Sequence, residues 1–409
     1  MSYKKWVNAE IDKAKASALS EKLNIDAFVA FLLVSRGIDD ELAASEFLSD
    51  GCRFSSPYLL KDMDKAVKRI NRALDDGESI CIYGDYDCDG VTSTALLYTF
   101  LSALGGFVSY YIPNRATDGY GMNFKAIDKI KADGTDLIIT VDNGISSIEE
   151  AEYIYSLGMQ LIVTDHHQIG ENLPRAEAVI NPHREDNEIE FRDFAGVGVA
   201  FKLACALYDG DVEDLLEDYA DYVTIGTIGD MVPLLNENRA IVKSGLKLIN
   251  TDAKIGISAL KKSTNSKAEH FSATDVAFQI CPRINAAGRM DTANLAVDLL
   301  TCEDNEIAEY KAEQLNLENT HRHEVEEKID KDIAEIMAND RAYQTDRVIV
   351  VAGHNYHKGV IGICAAHLVE LYSKPAIVIG IDDEGNATGS ARSIDGFNIF
   401  EAISNCSDI

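Results

Sequence analysis

The chain has 409 residues, of which 46% are apolar and 26% charged, so its length favours two or three domains and its composition excludes a disordered chain. Because 68 acidic residues outweigh 38 basic ones, the net charge of −30 argues against binding a polyanion unless metal ions or a local basic groove offset the repulsion. The sequence has no apolar run of membrane-spanning length, no apolar stretch typical of a secretory signal, and no C-x-x-C pair; we therefore expect a reduced, cytoplasmic protein without a membrane partner.

Four regions are predicted along the chain. Residues 1–55 contain short amphipathic helical segments. Residues 56–235 alternate helices with continuously apolar strands such as "SICIYG", "DLIITVD" and "QLIVTDHH", which indicates a parallel sheet covered on both faces. Residues 236–342 are mostly helical and form a connector, and residues 343–409 return to strands and helices in a second, smaller α/β domain. The predicted fold class is therefore α/β with two sheet domains and a long helical connector.

Acidic and histidine residues recur where the predicted strands or helices of the first domain end. Since the carboxyl ends of parallel strands meet at one edge of a sheet, we expect these groups to converge. Converging carboxylates repel one another unless a cation neutralises them, and carboxylates with imidazole suit Mn²⁺ or Mg²⁺. Enough ligands are present for two ions, the arrangement that serves phosphoester hydrolysis. The residues are Asp85, Asp87 and Asp89 in "GDYDCDG", Asp142 in "DNG", Asp165, His166 and His167 in "DHH", and Asp230 in "IGD".

Each of these motifs also has an ordinary structural interpretation. Alternating Asp near Gly is typical of turns and helix caps, with Asp89 a candidate N-cap, and "DNG" is a common turn. A His pair alone is more often structural or exposed than catalytic. All four motifs in this order, each at a polar turn that ends a strand or helix, favour the metal site.

The same motifs in the same order resemble the DHH phosphoesterase superfamily. Four further stretches narrow the resemblance to its RecJ family of single-stranded-DNA-specific exonucleases: "YIPNRATDGYG", "RINAAGRM", "HKGVIGICAAHLVE" and "GSARS". The resemblance implies a DHH domain followed by a DHHA1 domain, dependence on Mn²⁺ or Mg²⁺, and 5′→3′ hydrolysis of single-stranded DNA in repair and recombination. It also implies a single-strand-binding protein and a helicase as partners, and we expect a monomer.

Individual roles follow from the resemblance. The implied metal ligands are Asp85, Asp87, Asp89, Asp142, His166 and Asp230, and the implied catalytic residues are His167, near the scissile phosphate, and Asp165. Tyr83 stands where many members of the superfamily carry a metal-binding His, so one ligand of the second ion is open. The expected substrate-binding residues are Arg115, Arg289, His357, Gly389, Ser390, Arg392 and Ser393.

Arginine suits bidentate contacts with phosphate, and Gly389 and Ser390 would let backbone amides approach one. His357 could equally be a satisfied histidine at the edge of a core, and an ordinary structural role is favoured for Arg283. Bases are expected to stack on Tyr120 or Tyr356 in a groove between the two domains. The chain ends before the Gly-Gly-His motif and the oligonucleotide-binding domain that the family carries, so we expect a C-terminally truncated protein with an incomplete DHHA1 domain.

Two alternatives to the exonuclease remain open at the level of sequence. One is a phosphatase of short oligonucleotides or nucleotides, which would need a closed, short pocket. The other is a catalytically silent scaffold that binds partners through its acidic surface. The long connector and "RINAAGRM" favour the exonuclease over the first, and the complete set of acidic and His ligands argues against the second.

Overall fold

The computed structural model describes residues 7, 10–49, 54–115, 118–119, 121–340 and 342–406. Its N-terminal unit packs three short helices around the small core of Leu19, Ala30, Leu33 and Ala44. An Asp side chain precedes each helix and accepts hydrogen bonds from first-turn amides, which explains where the helices begin. The helices are α1 (Lys13–Leu23), α2 (Ala27–Ser35) and α3 (Glu41–Leu48).

The first α/β domain is built on a five-stranded parallel sheet with the strand order β2-β1-β3-β4-β5. Its central strands are buried on both faces because separate hydrophobic cores cover the two sides. The elements are α4 (Met63–Asp76), β1 (Ser79–Tyr83), α5 (Cys88–Ala103), β2 (Phe107–Tyr111), α6 (Phe124–Ala132), β3 (Leu137–Val141), α7 (Ile148–Ser156), β4 (Gln160–Thr164) and β5 (Ala178–Ile180).

The sequence patterns correctly indicate four of these strands and miss the fifth. Strand β5 spans only Ala178–Ile180, too short for a period to be visible, and it completes the sheet by pairing in parallel with β4. A second difference concerns α5, which begins at Cys88 and therefore includes part of the acidic motif. The motif is thus a strand-to-helix turn that lies at the carboxyl end of β1.

A mostly helical region follows the sheet. Helix α13 continues from a π-helical turn, Val276–Ile280, and α15 is the long connector helix of 35 residues. Among the described residues, no helix combines the length and the apolar character that a membrane crossing needs. The helices are α8 (Gly196–Leu207), α9 (Val212–Gly229), α10 (Asn236–Thr251), α11 (Ile255–Ser263), α12 (Ala273–Asp275), α13 (Cys281–Met290), α14 (Asn294–Leu300) and α15 (Asn305–Asn339).

The second α/β domain contains a three-stranded sheet with the order β6-β7-β8. Strands β6 and β7 pair in parallel across a helical crossover, whereas β8 returns as an antiparallel hairpin partner of β7. Its core joins the sheet, α17 and the C-terminal half of α15. The predicted α/β class with a helical connector and a second small sheet is confirmed. The elements are α16 (Ala342–Thr345), β6 (Ile349–His354), α17 (Ile361–Tyr372), β7 (Ala376–Ile381), β8 (Ala387–Arg392) and α18 (Ile399–Ser404).

Candidate active site

The turn between β1 and α5 places three carboxylates at the carboxyl edge of the sheet. Asp87, and not Asp89, is the N-cap of α5: its Oδ1 accepts hydrogen bonds from the amides of Asp89 (2.9 Å) and Gly90 (3.1 Å). The cap fixes one oxygen of Asp87 and, with it, the path of the turn. Asp85 and Asp89 are buried on either side of it, with 3% and 1% of their surface exposed.

The N-terminus of α8 holds Asp89 in place. The amides of Gly196 and Val197 donate to Oδ2 (2.6 Å) and Oδ1 (2.8 Å) of Asp89. Amides at the start of a helix carry partial positive charge, so this contact stabilises the buried carboxylate. Gly196 is required for the approach because a Cβ on it would lie 2.6 Å from the Cβ of Asp142. The short distance leaves no room for any larger residue.

Asp142 follows directly on β3 and adopts a left-handed backbone conformation with φ of 59°. Asp and Asn tolerate this region better than most residues. The next residue, Asn143, fixes the turn because its Nδ2 donates to the carbonyls of Tyr83 (3.2 Å) and Val141 (2.9 Å), which end the two neighbouring strands. The "DNG" turn therefore directs the Asp142 carboxylate toward the β1–α5 turn.

His166 lies among three of these carboxylates without a hydrogen bond to the nearest of them. Its Nε2 is 3.1 Å from Oδ1 of Asp142 and 3.7 Å from Oδ2 of Asp89, and its Nδ1 is 3.8 Å from Oδ2 of Asp230. Oδ1 of Asp142 is buried and has no hydrogen-bond partner. Burial, followed by the charge of His167, lowers the pKa of His166 to about 4. The imidazole is therefore neutral, the form that binds metals.

His167 is oriented by Asp165. Its Nδ1 lies 2.7 Å from Oδ1 of Asp165, which also accepts from the amides of both histidines, while Oδ2 of Asp165 accepts from the amide of Ile145 (2.9 Å). The bond to Asp165 raises the pKa of His167. Burial would raise the pKa of Asp165, but the hydrogen bond and charge of His167 outweigh it and leave that pKa lowered. Both oxygens of Asp165 are thus engaged, which suits an orienting residue better than a ligand.

The remaining carboxylates carry an unfavourable charge in the absence of a cation. Burial and then the charge of Asp87 raise the pKa of Asp85 to about 8 and that of Asp230 to about 6. The pKa values of Asp89 and Asp142 are raised well above their usual range, by burial first and then by neighbouring carboxylates. Oδ1 of Asp85 is also buried without a hydrogen-bond partner. Buried, unpaired carboxylate oxygens that converge require a cation.

The donor set fits two divalent ions. The ligand atoms within each of three groups lie no more than 4.8 Å apart, and Asp142 is common to two of the groups. Carboxylates with one neutral imidazole suit Mn²⁺ or Mg²⁺, and a carboxylate common to neighbouring groups is typical of paired metal sites. The groups are Asp85 with Asp87 and Asp142, Asp89 with His166 and Asp230, and Asp142 with both histidines.

A cluster of arginines lies beside the carboxylates. Burial, then the charges of Arg115, Arg322 and other arginines, lowers the pKa of Arg289 to about 10. The guanidinium of Arg115 lies 5.2 Å from the ring centre of Tyr86 in the acidic motif, and Arg289 donates from Nη1 to the carbonyl of Gly359 (3.1 Å). Mutual repulsion among arginines favours a bound polyanion at this position. The cluster is thus a local concentration of positive charge in a chain whose net charge is −30.

The predicted residues of the second domain lie on β8, just after it, and in the turn before α17. Helix α17 packs on β8, which carries Gly389, Ser390 and Arg392. Nη1 of Arg392 donates to the carbonyl of Ala391 (2.8 Å), and Nδ1 of His357 accepts from the amide of Gly359 (3.1 Å).

Ser393 differs from these residues because its hydroxyl donates to the carbonyl of Phe397 (2.5 Å). This bond directs the Ser393 hydroxyl toward the 393–397 turn. Its predicted contact with substrate would require the hydroxyl to rotate.

The structure bears on several expectations about aromatic and basic residues, and it agrees with the structural role favoured for Arg283. Tyr356 is 9% exposed, lies in the core of the second domain and donates its hydroxyl to Asp332, so its ring is not available for base stacking. Tyr120 lies outside the described residues. Tyr83 is buried and donates its hydroxyl to the carbonyl of Gly121 (3.1 Å), so it does not replace the missing ligand. Arg283 lies in a helix and bonds the carbonyl of Gln279 (2.6 Å), a structural contact.

Three contributors to the site are absent from the residues predicted from the sequence. The amides of Gly196 and Val197 act through the backbone, and their only trace in the sequence is "GVGVA" at the start of α8. Asn285 accepts a hydrogen bond from the amide of Cys88 (2.8 Å), across 197 residues of sequence. Arg322 lies in the charged sequence of α15, and the sequence does not distinguish it from exposed charged residues. In the structure it is buried.

Two family models match the chain. The DHH family, N-terminal domain, matches residues 79–227, and the DHHA1 domain matches residues 345–408. The first match covers the parallel sheet and all the carboxylates and histidines described above except Asp230. The second covers the three-stranded sheet.

Curated relatives and solved structures agree with these matches. The single-stranded-DNA-specific exonuclease RecJ of Bacillus subtilis is 42% identical over 407 residues, which are 99% of this chain and 51% of the relative. A crystal structure of exonuclease RecJ bound to manganese is 32% identical with a TM-score of 0.73, covering 86% of this chain and 87% of that one. RecJ of Thermus thermophilus in complex with Mn²⁺ is 30% identical with a TM-score of 0.80, covering 97% of this chain and 56% of the other. The chain thus spans about half the length of the B. subtilis relative.

Proposed function

Because this chain belongs to the RecJ family of DHH phosphoesterases, we propose that it is a metal-dependent exonuclease that hydrolyses single-stranded DNA in the 5′→3′ direction. The observation that carries the proposal is the convergence of buried carboxylates, two of which have an oxygen without a hydrogen-bond partner. A structural cluster would satisfy these oxygens with protein donors, whereas a metal centre leaves them for the ion.

The proposed ligands of two Mn²⁺ or Mg²⁺ ions are the five aspartates and the one histidine of this cluster. Bound ions would activate a water molecule and stabilise the charge that develops on the phosphate. His167 is oriented by Asp165, whose Oδ1 lies 2.7 Å from its Nδ1, and we place His167 beside the scissile phosphate. Its raised pKa favours the protonated form, which attracts an anion. The ligands are Asp85, Asp87, Asp89, Asp142, His166 and Asp230.

The arginine cluster and the second domain would hold the strand. Arg115 and Arg289 lie beside the carboxylates, and Arg392 with Ser390 extends the polar surface onto β8. Several guanidinium groups in one groove bind successive phosphates without reading bases, which supports a substrate defined by its single-stranded form. His357, Gly389 and Ser393 complete the proposed substrate-binding set.

The cellular setting belongs to the same proposal. We expect the protein to act as a monomer in the cytoplasm, in DNA repair and recombination, together with a single-strand-binding protein and a helicase. The proposed domain limits are 1–55, 56–235, 236–342 and 343–409. The family matches at 79–227 and 345–408 fall within the second and fourth of these regions.

The test is digestion of a single strand of about 40 nucleotides, labelled at either end, in Mn²⁺ and in EDTA. A 5′→3′ exonuclease releases a 5′ label at once as a short product, whereas a 3′ label persists in a ladder of shortening strands. The matched variant is Asp142→Asn, which keeps the size and the left-handed backbone of Asp142 but removes its charge. We expect at least a 1,000-fold loss of rate in this variant with an unchanged circular-dichroism spectrum, on the order of the contribution expected for a metal ion.

Two results would contradict the proposal. Equal Mn²⁺-dependent rates in the wild type and Asp142→Asn would remove the metal centre from the chemistry. Hydrolysis of dinucleotides or of nucleoside monophosphates with no action on the long strand would indicate the phosphatase alternative, and no hydrolysis of either would indicate the scaffold.

A further inference from the structure

Helix α13, which carries the "RINAAGRM" motif, lies directly against the turn that holds the metal-binding aspartates. Oδ1 of Asn285 accepts a hydrogen bond from the amide of Cys88, the first residue of α5, at 2.8 Å. One turn later, a Cβ on Gly288 would lie 2.2 Å from the carbonyl oxygen of Tyr86, so only glycine permits the contact. The helix thus touches the turn on both sides of Asp87.

The same helix also contributes to the arginine cluster and contacts the second domain. Arg289 is four residues after Asn285 and so lies on the same side of the helix. Its guanidinium donates to the carbonyl of Gly359, in the turn that leads into α17. Helix α13 therefore connects the carboxylate turn, the arginine cluster and the second domain along one face.

The start of α13 is shaped for this position. A π-helical turn, Val276–Ile280, precedes it, and Pro282 follows at its N-terminal end. Proline cannot donate the helical hydrogen bond to the carbonyl four residues earlier, and a widened turn accommodates the loss. Such π turns are frequent at functional sites because they shift the register of the helix that follows. The shift sets which side chains of α13 face the β1–α5 turn.

We propose that Asn285 is a positioning residue of the metal centre, and that α13 uses it to hold the β1–α5 turn at the spacing that the metal ligands require. This inference rests on the proposed function. The bond matters because the amide of Cys88 is at the N-terminus of α5, where no helical carbonyl is available to accept it. Asp87 caps the amides of Asp89 and Gly90, so Asn285 and Asp87 together satisfy the first turn.

Removal of the Asn285 side chain would leave the amide of Cys88 unpaired in a buried position. Asp87 precedes Cys88 and already accepts from the next two amides, so this residue, both the cap and a proposed ligand, is the natural replacement acceptor. A shift of Asp87 toward the amide of Cys88 would change its spacing from Asp85 and Asp142, with which it forms one of the ligand groups. Loss of the positioning contact should therefore weaken metal binding before it weakens DNA binding.

The experiment compares Asn285→Ala with Asn285→Asp and with Asn316→Ala in the full chain. Asn285→Asp keeps an acceptor of the same shape. Asn316 on α15 is the matched control. Its Oδ1 accepts a hydrogen bond from Nε of Arg283 (3.1 Å), so it contacts α13 at a residue other than Asn285. Mn²⁺ affinity is measured without DNA, from the electron paramagnetic resonance signal of free Mn²⁺. Thermal unfolding shows whether each variant is folded, and Asn285→Ser replaces Asn285→Ala if the latter is not.

We expect a 10–100-fold loss of Mn²⁺ affinity in Asn285→Ala, the size of effect that residues behind metal ligands usually show, and recovery to within about threefold in Asn285→Asp. At saturating Mn²⁺, kcat falls in Asn285→Ala while KM for the strand stays within about twofold. Wild-type affinity in Asn285→Ala, an equal loss in Asn316→Ala, or no recovery in Asn285→Asp would overturn the proposal. A wild type that binds Mn²⁺ but does not cut DNA would instead reject the proposed nuclease function, since the affinity measurement contains no DNA.

Discussion

The metal-free protein should become more stable when one of its buried carboxylates is neutralised. Asp85 is the best position because it caps no helix, has one oxygen without a hydrogen-bond partner, and is 3% exposed. Its pKa rises from 3.8 to about 8 on folding, through burial first and then the charge of Asp87. At 1.36 kcal/mol for each pKa unit, keeping the group in the fold at pH 8 costs about 5 kcal/mol at most.

Asp85→Asn removes this cost but keeps a buried amide that lacks one partner, which itself costs about 1–3 kcal/mol. We therefore expect the free energy of unfolding in EDTA at pH 8 to rise by about 2–4 kcal/mol, or roughly 4–16 °C in Tm for a domain of this size. The size of this effect depends on pH. Because the folded pKa of Asp85 lies above the unfolded one, Asp85 costs the wild type no stability below about pH 4, and the cost grows as the pH rises toward about 8.

The measurement is urea unfolding of the wild type and Asp85→Asn in EDTA, at several values between pH 5 and pH 8.5, and again at pH 8 with saturating Mn²⁺. The advantage of Asp85→Asn should shrink toward pH 5 and reverse with Mn²⁺, which stabilises only a competent site. Asp62→Asn is the control of opposite sign, since Asp62 is also buried but pairs with Arg184 at 2.7 Å and Lys65 at 2.6 Å. If Asp85→Asn is destabilised at pH 8 as Asp62→Asn is, the carboxylate cluster is not under electrostatic strain and the reasoning fails.

Two further predictions concern the grip on DNA. Arg392→Ala should weaken single-strand binding and reduce the slope of log affinity against log salt by about one or less, measured by fluorescence anisotropy with metal chelated; an unchanged slope would remove Arg392 from the phosphate contacts. Tyr356→Phe should lower the free energy of unfolding by about 1 kcal/mol, since it loses the hydrogen bond to Asp332, and leave DNA affinity unchanged; the opposite pattern in the same two assays would restore Tyr356 as a stacking residue.

The carboxylate cluster was readable from the sequence because its geometry follows from strand ends alone. Parallel strands with apolar runs place whatever follows them on one edge, so Asp85, Asp142 and Asp165 had to lie near each other once the sheet was recognised. This convergence does not depend on the exact pairing register of the strands. The same logic fails for β5, whose three residues are too few to show a pattern.

The contacts that hold the cluster were not readable, because they use groups that every residue possesses. The amide of Cys88 and the carbonyl of Tyr86 gain their role only when α13 packs on them, and the contact between Cys88 and Asn285 spans 197 residues of the chain. Tyr356 is the opposite case, a residue that was expected to bind substrate but has a structural role. A tyrosine in a polar motif suggests an exposed ring, but the core of the second domain covers it and Asp332 accepts its hydroxyl.

Gly196 is the overlooked residue with the largest expected effect on the site. Its missing Cβ lets the first turn of α8 approach Asp142, and the added atom in Gly196→Ala would lie 2.6 Å from the Cβ of Asp142, closer than two carbon atoms can pack. Helix α8 must then withdraw, which lengthens the hydrogen bonds from the amides of residues 196 and 197 to the buried carboxylate of Asp89. We expect Mn²⁺ affinity to fall 10–100-fold in titrations followed by the electron paramagnetic resonance signal of free Mn²⁺.

Gly198→Ala is the matched control in the same helix, because its Cβ would meet only the side chain of Phe194 at 3.2 Å, a contact that a small ring movement relieves. Both substitutions add one methyl group within the first turn of the same helix, so a large difference between them reports the approach to the carboxylates. Equal Mn²⁺ affinity in the two variants would show that the metal centre does not need the N-terminus of α8 at this distance.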